Sequence, residues 1–171
     1  MPFREPAGGA DLLTAGLPIA TGSPGTLAGA FSPGANVANF IRPTTGESQL
    51  ISSLWIASPA PGVGTNIELA IYDGLPGMNP PTVQLATTGS VILLAGWNGY
   101  ALVTPIIMEP GHYFAFACDA ALATFAAVGA GGLYTITDGF NYTEAAAFPL
   151  PAIATPVSAG GTQGLFMLAA S

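Results

Sequence analysis

From residue 37 onward the chain is written in short runs of β-branched and aromatic residues separated by glycine, proline and small polar residues, the pattern of an all-β fold. The clearest run is Asn66 to Asp73, where Ile67, Leu69 and Ile71 alternate with Glu68, Ala70 and Tyr72; a period of two predicts a strand. Val37 to Arg42 predicts a strand before it, stopped by Pro43. Gln49 to Ala57 predicts another, with Leu50, Ser52, Leu54 and Ile56 on one face and Ile51, Ser53 and Trp55 on the other. Thr82 to Thr87 and Ser90 to Leu94 read as two short strands or as one bent at Gly89, and Gly96-Trp-Asn-Gly99 reads as a turn. Tyr100 to Thr104, Ile106 to Met108, His112 to Cys118, Leu122 to Val128, Leu133 to Thr137 and Gly164 to Ala169 complete the set. About ten short strands at this spacing predict a sandwich or barrel. Glycine and proline interrupt nearly every stretch long enough for a helix; the exception, Ala117 to Ala130, is alanine-rich and reads as a strand or a short helical turn.

The first 36 residues follow neither period, being punctuated by glycine and proline, and are read as an N-terminal arm or set of loops, with residues 37–171 as the sandwich domain. The arm carries Leu12, Leu13, Leu17, Ile19, Leu27 and Phe31, too many apolar side chains for a solvated tail, and these are the candidate partner-binding residues. Near the other end, Phe148-Pro-Leu-Pro-Ala-Ile-Ala-Thr-Pro156 must be extended, because proline breaks a helix and donates nothing to a sheet. It either wraps the sandwich or lies on a neighbouring subunit.

Charge changes the picture most. Half of the residues are apolar and only 6% are charged, two arginines against nine acids, for a net charge of -7. About a quarter of a typical soluble domain is charged, so much of this surface must be alanine, glycine, threonine, serine and proline. Such a surface suits permanent neighbours rather than solitary life in water. Two arginines form no basic patch, which excludes a nucleic-acid partner. No run approaches the ~20 apolar residues of a spanning helix, so no membrane is expected, and residues 1–10 hold no apolar core of an export signal. One cysteine, Cys118, excludes an internal disulfide and reads as a small core residue.

Asn66 to Asp119 resembles a jelly-roll-like β-sandwich module of bacteriophage virion proteins, similar versions of which occur in bacterial surface and carbohydrate-binding proteins. The residues that carry the resemblance are Leu69-Ala-Ile-Tyr-Asp73, Leu85-Ala-Thr-Thr-Gly-Ser-Val91, Gly96-Trp-Asn98, Tyr100-Ala-Leu102, Pro105-Ile106 and Glu109-Pro-Gly-His-Tyr-Phe-Ala-Phe116. The resemblance implies an antiparallel jelly-roll-like sandwich; sandwiches of this kind host many roles. In physical terms Trp97 is expected to cap an open end of the sandwich, and Pro110-Gly111 to turn the chain into the next strand.

The side chains of catalysis are scarce. His112 is the only histidine, and no serine, cysteine or carboxylate stands at the spacing of a nucleophile motif with it. Glycoside hydrolysis needs two facing carboxylates; Glu68 with Asp73, or Asp73 with Asp119, are the pairs to consider, and the acids otherwise read as solvated strand edges and loop tips. Asp73, Asn79, Asp119, Asp138 and Asn141 are loop oxygens of the kind that bind Ca²⁺, without a dense Asp-x-Asp run. Tyr134, Asp138, Phe140 and Tyr142 form the best exposed-aromatic segment, a candidate ligand or partner loop. The expectation is therefore a non-enzymatic virion protein, assembled in the host cytoplasm without cofactor or metal. It would be a capsid decoration (cement) subunit, a homo-oligomer with a trimer favoured, bound to the major capsid protein or other virion subunits. The alternative is a carbohydrate-binding module of a tail or surface protein.

Overall fold

The computed structural model describes residues 19–20, 27–31, 34–42, 48–74, 80–120, 125–128, 142–158, 164–165 and 167–170. Those residues are all-β. In chain order the strands are β1 (Ile19–Ala20), β2 (Leu27–Phe31), β3 (Ala38–Ile41), β4 (Gln49–Ser58), β5 (Asn66–Tyr72), β6 (Gln84–Ile92), β7 (Gly96–Met108), β8 (Tyr113–Cys118), β9 (Phe125–Val128), β10 (Tyr142–Glu144), β11 (Val157–Ser158), β12 (Gly164–Leu165) and β13 (Met167–Ala170). They form a four-stranded sheet in the order β1-β13-β4-β7, a six-stranded sheet β11-β10-β3-β8-β5-β6 and a small sheet β12-β9-β2, with every pairing antiparallel.

The two larger sheets pack as two layers, and the alternation of the strands decides what lies between them. Ile67, Leu69 and Ile71 of β5 and Phe114, Phe116 and Cys118 of β8 meet Ile51, Leu54 and Ile56 of β4 and Leu102 and Met108 of β7 in one apolar core. Each such side chain, fully withdrawn from water, contributes about 1.5–3 kcal/mol. The opposite face of β5 and β8 is also buried, under the segment after β10: Ala38, Phe40, Ala70, Tyr72, Tyr113, Ala115 and Tyr142 pack against Ala147, Leu150 and Ala154. The proline-rich tail expected to be extended is thus a strap across its own six-stranded sheet. Gln84 N donates to the Ala152 carbonyl and Ala154 N to the Thr82 carbonyl, and Val83 bridges Ile153, so the strap is stitched to the start of β6.

Two departures from the sequence reading have simple causes. The faces of β4 exchange midway: its register with β7 shifts between Ile51 and Ser53, so Ile51, Leu54 and Ile56 all point inward while Leu50 and Trp55 point outward. Leu102 to Pro105 of β7 lie opposite the single Ser52 of β4, and this irregularity flips the parity of β4 beyond it. Gly96-Trp-Asn-Gly99 is no turn but the start of β7, paired with Trp55 to Ser58, so Trp97 lies along a strand rather than over an open end. Gly89, at φ 67°, bends β6 without breaking it, as one of the two readings held. Within the first 36 residues, Ile19–Ala20 pairs with β13, Leu27–Phe31 pairs with β9, and Asn36 N donates to the Cys118 carbonyl; apart from residues 34–36 the rest of the expected arm lies outside the described residues.

Candidate interaction surface

Glu68, Asp73 and Asp119, which the sequence put forward, are spent on the fold; Asp138 lies outside the described residues. Asp73 follows β5 and accepts hydrogen bonds from Thr82 N and Val83 N, both at 2.8 Å, and from the Thr82 hydroxyl at 2.9–3.0 Å. Partial burial works against its charge, but these bonds and His112 nearby outweigh that and hold the carboxyl below its ordinary range. Asp119 accepts from Asn66 N at 2.9 Å and Asn66 Nδ2 at 2.6 Å, clasping the other end of β5 to β8. The two carboxylates therefore stand at opposite ends of a seven-residue strand, about 23 Å apart at ~3.3 Å per residue. Glycosidase carboxylates are separated by about 5–9.5 Å. His112 Nδ1 accepts the Glu109 N–H at 3.1 Å; burial lowers its pKa, against the opposing pull of Glu109 and Asp73. No group of three or more metal-ligating side chains occurs among the described residues.

Glu68 departs from the expectation that these acids sit at solvated edges. It lies mid-strand on β5, 4% exposed, under the strap. Its carboxylate accepts the Thr87 hydroxyl at 2.5 Å and the Leu150 N–H at 2.8 Å. Beside it the Tyr72 hydroxyl donates to the Pro151 carbonyl, and Gln84 Nε2 reaches the Tyr72 hydroxyl at 3.3 Å and the Leu150 carbonyl at 3.4 Å. These polar groups latch the strap onto the sheet.

Of the candidate ligand loop, Tyr134, Asp138 and Phe140 lie outside the described residues. Tyr142 is described, and it is buried in β10 with its ring edge-on to Tyr113, centroids 5.9 Å apart; it offers no free aromatic face. Tyr113 in turn carries the Arg42 guanidinium 4.5 Å above its ring. Leu12, Leu13 and Leu17 are outside the described residues, while Ile19, Leu27 and Phe31 are placed on β1 and β2 by their backbone.

The surface that stands out was not singled out from the sequence. It is the outer face of the four-stranded sheet. A sandwich strand normally shows polar side chains to water, yet the outward positions of β4 and β7 are apolar or small. Leu50 and Ile107 face each other across the strands at 56% and 58% exposure, and Val103 is 73% exposed. Trp55 pairs with Gly99, and a Cβ built there would lie 2.4–2.5 Å from three alternate atoms of its six-membered ring, so the ring lies flat over the glycine. Only glycine admits this stacking, in which an aromatic across the strand shields the bare backbone. Trp55 Nε1 donates to Ser53 Oγ at 3.0 Å, which fixes the ring in that pose. Trp97 stands opposite Ala57 on the same face. β7 is an edge strand among the described residues, and no acidic, basic or histidine side chain occurs between Asp73 and Glu109, a span that contains all of β6 and β7. The signal in the sequence was that uncharged run, hidden because the register shift between β4 and β7 reassigns the faces of β4.

No family model, curated protein or solved structure matches this chain.

Proposed function

We propose that the chain is a non-enzymatic structural protein of a virion, a capsid decoration (cement) subunit that holds neighbouring subunits through apolar contacts. The observation that carries the reading is the outer face of the four-stranded sheet, where Leu50, Trp55, Trp97, Val103 and Ile107 stand with no charged side chain among them. Exposed contiguous apolar surface marks interfaces, and a subunit that spends its life against a shell has no need of the charge that keeps a free protein apart from others. Asp73, Asp119 and Glu68 serve the fold, as clasps at both ends of β5 and as the strap latch.

The test is cosedimentation of the purified protein with expanded shells assembled from the major capsid protein encoded in the same genome. Saturable binding at a fixed copy number per shell is expected; a protein left wholly in the supernatant refutes the reading. The flat Trp55 ring also favours a second reading, a sugar-binding module, since an indole plane suits the apolar face of a pyranose. Sugar sites add amides or carboxylates to fix the hydroxyls, and the outward positions around Trp55 carry none. Binding on a glycan array that is lost in Trp55→Ala would reverse the order of the two readings.

A further inference from the structure

The outer face of the four-stranded sheet is built to meet itself. We infer that two copies of this chain associate by stacking these faces across a two-fold axis, burying Trp55, Trp97, Leu50, Val103 and Ile107 between them.

Charge selects the occupant. At a net charge of -7 two copies repel, and like charges brought together at an interface cost several kcal/mol. Among the described acids this face avoids the cost: Glu68 is inside under the strap, Glu144 is on β10 of the other sheet, Asp73 and Asp119 lie at the ends of β5, and Glu109 follows β7 at the rim of the face. A foreign partner is usually chosen by complementary charges or directed hydrogen bonds. The described outward positions of β4 and β7 supply only Ser53, whose oxygen already accepts from Trp55. An isologous contact needs no such labels, because the two-fold axis itself puts each patch against its own copy.

Area sets the strength. β7 is thirteen residues long, about 43 Å at ~3.3 Å per residue, and β4 and β7 side by side span about 10 Å. The face is then roughly 430 Å² per copy and about 900 Å² for the pair, in the range of weak and transient interfaces. Dissociation in the micromolar range follows, at concentrations that a crowded shell surface would exceed. The two-fold contact is proposed where the sequence reading favoured a trimer. The inference deepens the assembly reading by naming the neighbour that this face holds, a second copy of the chain rather than the shell itself, and rests on that reading for its biological setting, but the physical contact stands or falls by itself.

The chain has two tryptophans and both are on this face, so their fluorescence reports it directly. Sedimentation equilibrium from about 1 to about 300 µM, a range that brackets the expected affinity, should show monomer and dimer, with acrylamide quenching of the tryptophans falling as dimer forms. Ile107→Glu should weaken the dimer about a hundredfold or more, since an unpaired carboxylate is then buried twice. Val103→Glu should act in the same direction. Val157→Glu, on an exposed residue of the other sheet, should leave the dimer intact, and circular dichroism should be the same for all three. A monomer throughout, a trimer, or a dimer that Val157→Glu weakens as much as Ile107→Glu overturns the proposal. Shell binding by an Ile107→Glu monomer would refute this contact's role on the shell while sparing the virion reading. A wild-type dimer that ignores shells would do the reverse.

Discussion

Removing the carboxylate of Glu68 is the sharpest test of how the strap is held. In Glu68→Ala the Leu150 N–H, which is buried, and the Thr87 hydroxyl both lose their acceptor. Each stranded donor costs about 1–3 kcal/mol, and the vacated volume beneath the strap adds about 1 kcal/mol or more. Allowing for the Thr87 hydroxyl turning to another acceptor, the total is roughly 3–5 kcal/mol, or about 6–20 °C in melting temperature for a domain of this size. Glu68→Gln behaves differently. Its amide oxygen can accept from Leu150 N while its NH₂ donates to Thr87 Oγ, which rotates to accept; both charge-assisted bonds become neutral but no donor is stranded, and the cost stays at about 1–2 kcal/mol. Urea unfolding followed by far-ultraviolet circular dichroism gives both numbers, and hydrogen exchange at Leu150 N locates the loss. If Glu68→Ala unfolds within 1 kcal/mol of the parent, or if the glutamine variant is as damaged as the alanine, the latch is not made of these bonds.

Three further outcomes follow from particular contacts. Gly99→Val should lift the Trp55 ring, because a Cβ would meet it at 2.4–2.5 Å; a red shift and stronger acrylamide quenching of fluorescence are expected, and an unchanged spectrum would show that the ring does not lie there. The depressed pKa of Asp73, relative to its ordinary 3.8, means that its contribution to stability is present above that value and is lost as pH falls through the lower folded-state pKa. Stability measured from pH 5 to pH 2 should therefore fall less steeply in Asp73→Asn than in the parent, and parallel curves would contradict the bonding to Thr82 and Val83. Burial pushes the Cys118 thiol up to about 11 and leaves it without exposed surface, so a thiol reagent at pH 8 should label it only at the rate of unfolding; prompt labelling of the native protein would refute its place in the core.

Strands were legible wherever local alternation and burial agreed. β5 is the clearest case: Ile67, Leu69 and Ile71 face the inter-sheet core as their period predicts. What the period could not show is that Glu68, Ala70 and Tyr72 are buried too, because the strap that covers them comes from residues some eighty positions later. A carboxylate at an alternating position reads as a solvated edge until that distant segment is placed. The faces of β4 were misread for a local reason. Two serines in a row carry no hydrophobic signal, so nothing at Ser52 or Ser53 announces the register shift that exchanges inside and outside. The turn assigned to Gly96-Trp-Asn-Gly99 failed because glycine has two meanings: at Gly96, φ 93°, it does bend the chain, but at Gly99 it serves a cross-strand tryptophan.

That second glycine joins the fold to the function. A tryptophan on an exposed strand would ordinarily swing among rotamers and lose about 0.5–1.5 kcal/mol of freedom on docking. Trp55 is held before any partner arrives, by the bare backbone of Gly99 beneath it and by Ser53 at its nitrogen. Stacking on its own sheet thus organises the ring in advance, and flattens the face so that a second flat surface can approach. Gly99→Ala keeps the apolar composition but tilts the ring, so it should weaken association more than its single added methyl would suggest. Composition alone would predict an unchanged or slightly stronger dimer. Sedimentation of Gly99→Ala beside Ala101→Val, which adds apolar volume to the face away from the tryptophan, separates the two explanations: if both variants associate equally well, hydrophobicity is sufficient and the Trp55–Gly99 pair has no organising role.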